Sequence, residues 1–294
     1  MTEESGEAAE SVAARVDALL PRDIAAAAER VGEAKAALDA TTLLALAVLA
    51  GAFIGLGAMF SATALAGAAA LPFGVVRVLG GVTFSLGLVI VVIGGAELFT
   101  GDCLMVMALA ARRITPGALV RAWTIVYVGN FIGAVGTAAL VFLAGQHEFG
   151  AGEVGRVTLT IARAKAELGF GQAVVLGVLC NVLVCLAVWL SLGARRISGK
   201  VLVIVPPITA FVAAGFEHSI ANMYYFPLAL LLKASASAEF WTSIAAQPAD
   251  FAAVTVRAAV ANLIPVTIGN VIGGAGLVGL VYWFIYLRRD HAAP

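Results

Sequence analysis

Six long runs almost free of charge divide the chain and dictate the solvent in which it folds. They lie near residues 41–60, from 79 onward, 119–144, 171–193, from 201 onward and 258–287. A helix needs about 20 apolar residues to cross the hydrocarbon of a bilayer. The third, fourth and sixth runs supply that length without interruption. Charge is scarce elsewhere too: 12% of the 294 residues are charged and 62% are hydrophobic, against roughly 25% charged in a soluble domain. An aqueous fold could not hide so much apolar surface, so lipid surrounds most of the chain. The pattern predicts an all-α integral membrane protein with six transmembrane helices in the lipid bilayer. A net charge of zero argues against nucleic acid as a partner.

The second and fifth runs are broken. Glu97 and Asp102 interrupt the one, Glu217 and His218 the other. Ionisable groups at that depth are expensive, so they face a cavity or a protein interior and carry function. The two breaks resemble each other. G-A-E-L-F-T-G-D (Gly95 to Asp102) recurs as G-F-E-H-S-I-A-N (Gly215 to Asn222), 120 residues on. G-N-F-I-G (Gly129 to Gly133) recurs as G-N-V-I-G (Gly269 to Gly273), 140 residues on. Together they indicate two homologous halves of three spans each. Three is odd, so the second half enters the membrane from the opposite side, a 3+3 inverted repeat with helices two and five broken. Irregular backbone at that depth is tolerated only where it is buried in protein or lines a water-filled cavity. The breaks therefore predict a pathway, and their half-helix N-termini can offer positive ends to an anion.

Lysines and arginines set the orientation. With the N-terminus inside, twelve fall in inner segments (Arg15, Lys35 and Lys200 among them) and six in outer ones, including Arg77 and Lys165. That follows the positive-inside rule and puts both termini in the cytoplasm. Residues 1–40 form a cytoplasmic segment with a surface helix over 22–38, residues 41–290 the membrane domain, and 291–294 a short tail. The acidic start (Glu3, Glu4, Glu7, Glu10) lacks the basic opening of a secretory signal. Cys103, Cys180 and Cys185 lie in apolar stretches and read as small buried hydrophobes. They have neither zinc-ligand spacing nor a disulfide framework, and no cofactor or metal is expected.

Several long strings, in order, resemble the formate/nitrite transporter family, and its formate branch more than the nitrite or hydrosulfide branches. They are G-A-E-L-F-T, Y-V-G-N-F-I-G-A, C-N-V-L-V-C-L-A-V-W-L-S, F-V-A-A-G-F-E-H-S-I-A-N-M and N-L-I-P-V-T-I-G-N-V-I-G-G. The resemblance runs from about residue 20 to 290. It implies a homopentamer of aquaporin-like protomers, each with its own pore for a small monovalent anion, in the cytoplasmic (inner) membrane. It also implies roles. His218 matches the pore histidine, and Thr100 the threonine that bonds it or the substrate. Phe84, Leu88 and Phe211 match the constrictions, Asn181 and Asn270 pore asparagines, and Lys165 a basic residue near the outer vestibule. Asp102 departs from the pattern by placing a carboxylate where an uncharged residue is expected.

The chemistry of formate suits these residues. A bare anion crossing a dry apolar ring loses several kcal/mol of hydration. The channel can supply donors, or it can lend a proton so that the neutral acid crosses. His218 is the one histidine within a span, and its side chain can do either. Phe84, Leu88 and Phe211 would exclude hydrated ions, and Lys165 would concentrate anions at the mouth. Glu97 and Glu217, at equivalent places, are expected to structure the breaks by accepting loop N–H groups, and Asn130 is expected to be structural. A channel of the same fold for nitrite, hydrosulfide, acetate or lactate is the nearest alternative. An intramembrane enzyme would need a second convergent base, which the spans do not offer, and a non-conducting receptor would find no soluble domain to support it.

Overall fold

A computed structural model describes residues 18–289. The acidic start, Arg15, His291 and the 291–294 tail lie outside the described residues. Among the described residues, six helices are long and apolar enough to cross a membrane: Ala40–Leu65, Phe73–Gly94, Pro116–Leu143, Phe170–Gly193, Ile197–Ala214 and a run over Pro248–Tyr286. They are called spans one to six. An amphipathic helix, Pro21–Ala36, precedes span one, and a second, Glu153–Ala166, lies between spans three and four. Three crossings separate the two helices, so they lie on opposite faces.

Span one starts where the Asp39 carboxylate accepts the N–H groups of Thr41 and Thr42, both at 3.0 Å. Such a cap satisfies donors the first turn cannot. Asp39→Ala is expected to destabilise the protein, read as a lowered thermal midpoint in detergent.

Span two starts at Phe73, earlier than the 79 expected from hydropathy. Arg77 is the reason. Its charge reads as loop, yet it lies on the helix and its guanidinium donates to the carbonyls of Ala213 (2.8 Å) and Val212 (2.9 Å). Those carbonyls end the first half of span five, where a helix runs short of internal donors and a cation is favoured.

Spans one and three pack along each other, as do spans four and six. Without a hydrophobic drive between helices in lipid, close backbone approach supplies the attraction. The two G-N-x-x-G strings provide it. A methyl group at Gly133 would lie 1.9 Å from the Val48 carbonyl oxygen, and one at Gly273 2.2 Å from that of Val178. Each string therefore fixes one helix crossing.

Spans two and five break alike. Leu86–Gly94 ends on Gly95 at φ 74° and Ile197–Ala214 on Gly215 at φ 77°, left-handed positions that suit glycine. Extended backbone follows at Leu98 (φ −110°, ψ 120°) and His218 (φ −113°, ψ 114°). Helix resumes at Phe99 and at Ser219. The first halves of spans two and five pack on each other, so the breaks meet.

Candidate functional site

Interrupting a helix in lipid leaves backbone groups without partners, at several kcal/mol each. One buried asparagine repairs each break. Asn130 Oδ1 accepts from Phe99 N at 2.9 Å, and its Nδ2 donates to the carbonyls of Ala47 (2.8 Å) and Glu97 (2.9 Å). Asn270 Oδ1 accepts from Ser219 N at 3.0 Å, and its Nδ2 donates to the carbonyls of Gly177 and Glu217, both at 2.9 Å. The two sets match atom for atom. The resemblance gave Asn270 a pore role and the sequence gave Asn130 a structural one, whereas their side chains are committed in the same way. Asn181 Nδ2 donates to the carbonyls of Thr100 (3.1 Å) and Asn270 (2.7 Å). Asn181 and Asn270 line neither of the two cavities described next.

The repaired breaks bring His218 and Thr100 together. His218 stands before the first turn of Ser219–Ser235, and its Nδ1 accepts from Ala221 N at 3.1 Å. That bond leaves the neutral ring its proton on Nε2. Nε2 lies 3.0 Å from Thr100 Oγ1 and donates to it. Both side chains are buried. The Phe211 ring stacks on the imidazole at 5.9 Å, and Phe84 meets Phe211 edge-on at 5.6 Å.

A cavity lies on each side of this knot. The first, about 250 Å³, is lined by His218, Phe84 and Phe211 together with Lys165, Glu217, Arg77 and Tyr225. The second, about 180 Å³, is lined by Leu88 and Leu98 together with Lys35, Glu97, Asp102 and Lys200. No residue lines both. Phe84, Phe211 and His218 on the first cavity and Leu88 on the second are all buried.

Each cavity carries a lysine–glutamate pair. Lys165 Nζ lies 2.8 Å from Glu217 Oε1, and Glu217 Oε2 accepts from Asn222 Nδ2 at 2.7 Å. Lys35 Nζ lies 2.7 Å from Glu97 Oε2 and 2.5 Å from Asp102 Oδ1. Glu97 Oε2 is at ion-pair distance but has no hydrogen bond. Burial works against the Lys35 ammonium, but the Asp102 and Glu97 carboxylates outweigh it and hold its pKa above the ordinary lysine value.

These pairs correct the reading of Glu97 and Glu217 as acceptors of loop N–H groups. Asn130 and Asn270 already take the N–H groups of Phe99 and Ser219, which frees the carboxylates to hold lysines. Lys165, expected as a basic residue near the outer vestibule, sits in the last turn of Glu153–Ala166 with its side chain 12% exposed. Sequence reasoning missed Lys35 and Arg77. Lys35 had a signal: it precedes Lys165 by 130 residues, the same offset as Ala47 to Gly177. Cys103, Cys180 and Cys185 are buried free thiols.

Known proteins share both the sequence and this architecture. The formate/nitrite transporter family profile matches residues 22–284. The formate channel FocA of Escherichia coli (strain K12) is 45% identical over 277 residues, covering 94% of this chain and 97% of that one. FocA of Haemophilus influenzae is 38% identical over 245 residues, 83% of this chain and 86% of that one. A solved pentameric formate channel with formate bound superposes with a TM-score of 0.81 at 42% identity, covering 85% of this chain and 98% of that one. With its six apolar helices, this multi-pass integral membrane protein belongs to the formate/nitrite transporter family.

Proposed function

We propose that the chain is a pentameric channel for formate, with one pore in each protomer. The observation that carries this reading is the His218–Thr100 hydrogen bond, set between two charged cavities where two broken spans meet. Formate leaves the Lys165 cavity, exchanges water for the His218 Nε2–H and the Thr100 hydroxyl between Phe84, Phe211 and Leu88, and enters the Lys35 cavity. The N-terminus of Ser219–Ser235 adds a positive helix end at the crossing. The matching hydrogen bonds of Asn130 and Asn270 support an inverted 3+3 repeat. The count of lysines and arginines supports placing Pro21–Ala36 and both termini in the cytoplasm, with the protein in the inner membrane.

Purified protein in proteoliposomes tests the reading. Saturable formate flux is expected, competed more weakly by nitrite, hydrosulfide, acetate and lactate. A preference for any of these would transfer the function to that anion, and absence of all flux would overturn it.

A further inference from the structure

The two cavities carry different charge, and one residue makes the difference. The Lys165 cavity has two cations, Lys165 and Arg77, and one anion, Glu217. The Lys35 cavity has two cations, Lys35 and Lys200, but two anions, Glu97 and Asp102. One mouth is thus cationic by one charge and the other neutral. Asp102 lies 120 residues before Asn222, and the two occupy equivalent places in the breaks. Asn222 is neutral and donates to Glu217 Oε2 at 2.7 Å. Asp102 instead brings a second carboxylate to Lys35, and its Oδ2 has no hydrogen-bond partner. Asn222 Oδ1 is likewise buried without a partner, so what distinguishes Asp102 is the full negative charge it brings to the lining of the Lys35 cavity.

We propose that Asp102 sets the direction of easy current through the pore: by cancelling the surplus cation of the Lys35 mouth, it makes that mouth anion-poor. The inference rests on the formate-channel reading above. A passive pore with equal formate on both sides carries equal unidirectional fluxes at zero voltage. The asymmetry therefore shows as rectification. A cationic mouth raises the local concentration of anions waiting to enter, so current is larger when voltage drives formate in from the Lys165 face. One unit charge at vestibule distances corresponds to a ratio of about two- to tenfold.

The test is bilayer recording of single insertions at pH 8 in symmetric formate, with orientation identified by an antibody to a terminal tag. Wild type is expected to rectify in favour of entry from the Lys165 face. Asp102→Asn should raise current driven from the Lys35 face about two- to tenfold and bring the ratio near one. Added salt of a large impermeant anion should erase the gain, because screening shortens the reach of a charge. Lys200→Gln, on the same cavity, should lower entry from that face.

Wild-type formate current without rectification would overturn the inference and leave the channel reading standing. So would an Asp102→Asn gain that persists in high salt, which would mark a loosened Lys35 tether. Should Asp102→Asn fail to assemble, Lys200→Gln decides: unchanged entry from the Lys35 face overturns the proposal, and reduced entry upholds it. No formate current in wild type would overturn both readings.

Discussion

His218→Phe is expected to lower formate flux about ten- to a hundredfold while the protein still assembles. The planar ring keeps the contact with Phe211, whose centroid is 5.9 Å from the imidazole, so the aromatic packing at this point is preserved. Two bonds are lost. The cap to Ala221 N is worth ~1 kcal/mol, a modest drop in stability. The other loss falls on transport. Formate between Phe84, Phe211 and Leu88 would find only the Thr100 hydroxyl. A hydrogen bond to a charged group is worth about 1.5–3 kcal/mol, and each 1.4 kcal/mol is about a tenfold change. The initial rate of formate efflux from proteoliposomes at matched protein measures this, with elution volume and thermal midpoint reporting assembly. Equal flux in the variant would remove the imidazole from the crossing.

Local chemistry was legible in the sequence, and partnership across space was not. Hydropathy is a sum over neighbours, so all six spans could be read from the sequence. Charges inside apolar runs exposed both breaks, because nothing else explains Glu97 or His218 at that depth. The Asn130 and Asn270 strings matched each other in sequence without revealing that both side chains bind the breaks. The ion pairs were hidden because Lys35 meets Glu97 across 62 residues and Lys165 meets Glu217 across 52. Arg77 misled for a related reason: a hydropathy window counts its charge but not the carbonyls of Val212 and Ala213 that receive it. The aromatic residues show the same limit. Phe84 and Phe211 are each 3% exposed while Phe73 is 81% exposed, yet nothing in the neighbouring residues separates them. Only the family resemblance singled them out.

Gly133→Val is expected to abolish recovery of the assembled protein. Gly133 faces span one so closely that an added Cβ would meet the Val48 carbonyl oxygen at 1.9 Å and Ala52 N at 2.8 Å. Both are backbone atoms and cannot turn aside as a side chain would. Spans one and three would have to separate, and the loss spreads beyond the contact. Asn130, one turn away, reaches the Ala47 carbonyl at 2.8 Å only because the helices touch. Moving span three withdraws the asparagine from Phe99 N and from the Glu97 carbonyl, leaving buried groups unpaired at ~1–3 kcal/mol each. The first break would lose its support and Thr100 its place beside His218. Gly136→Ala in the same helix is the control. No atom lies within 4 Å of its added methyl, and alanine is the better helix former by ~1 kcal/mol, so the thermal midpoint should hold or rise. Size-exclusion profiles of detergent extracts measure both variants. Normal recovery of Gly133→Val would mean that spans one and three can part without disturbing the break, and the account of the G-N-x-x-G strings would fail.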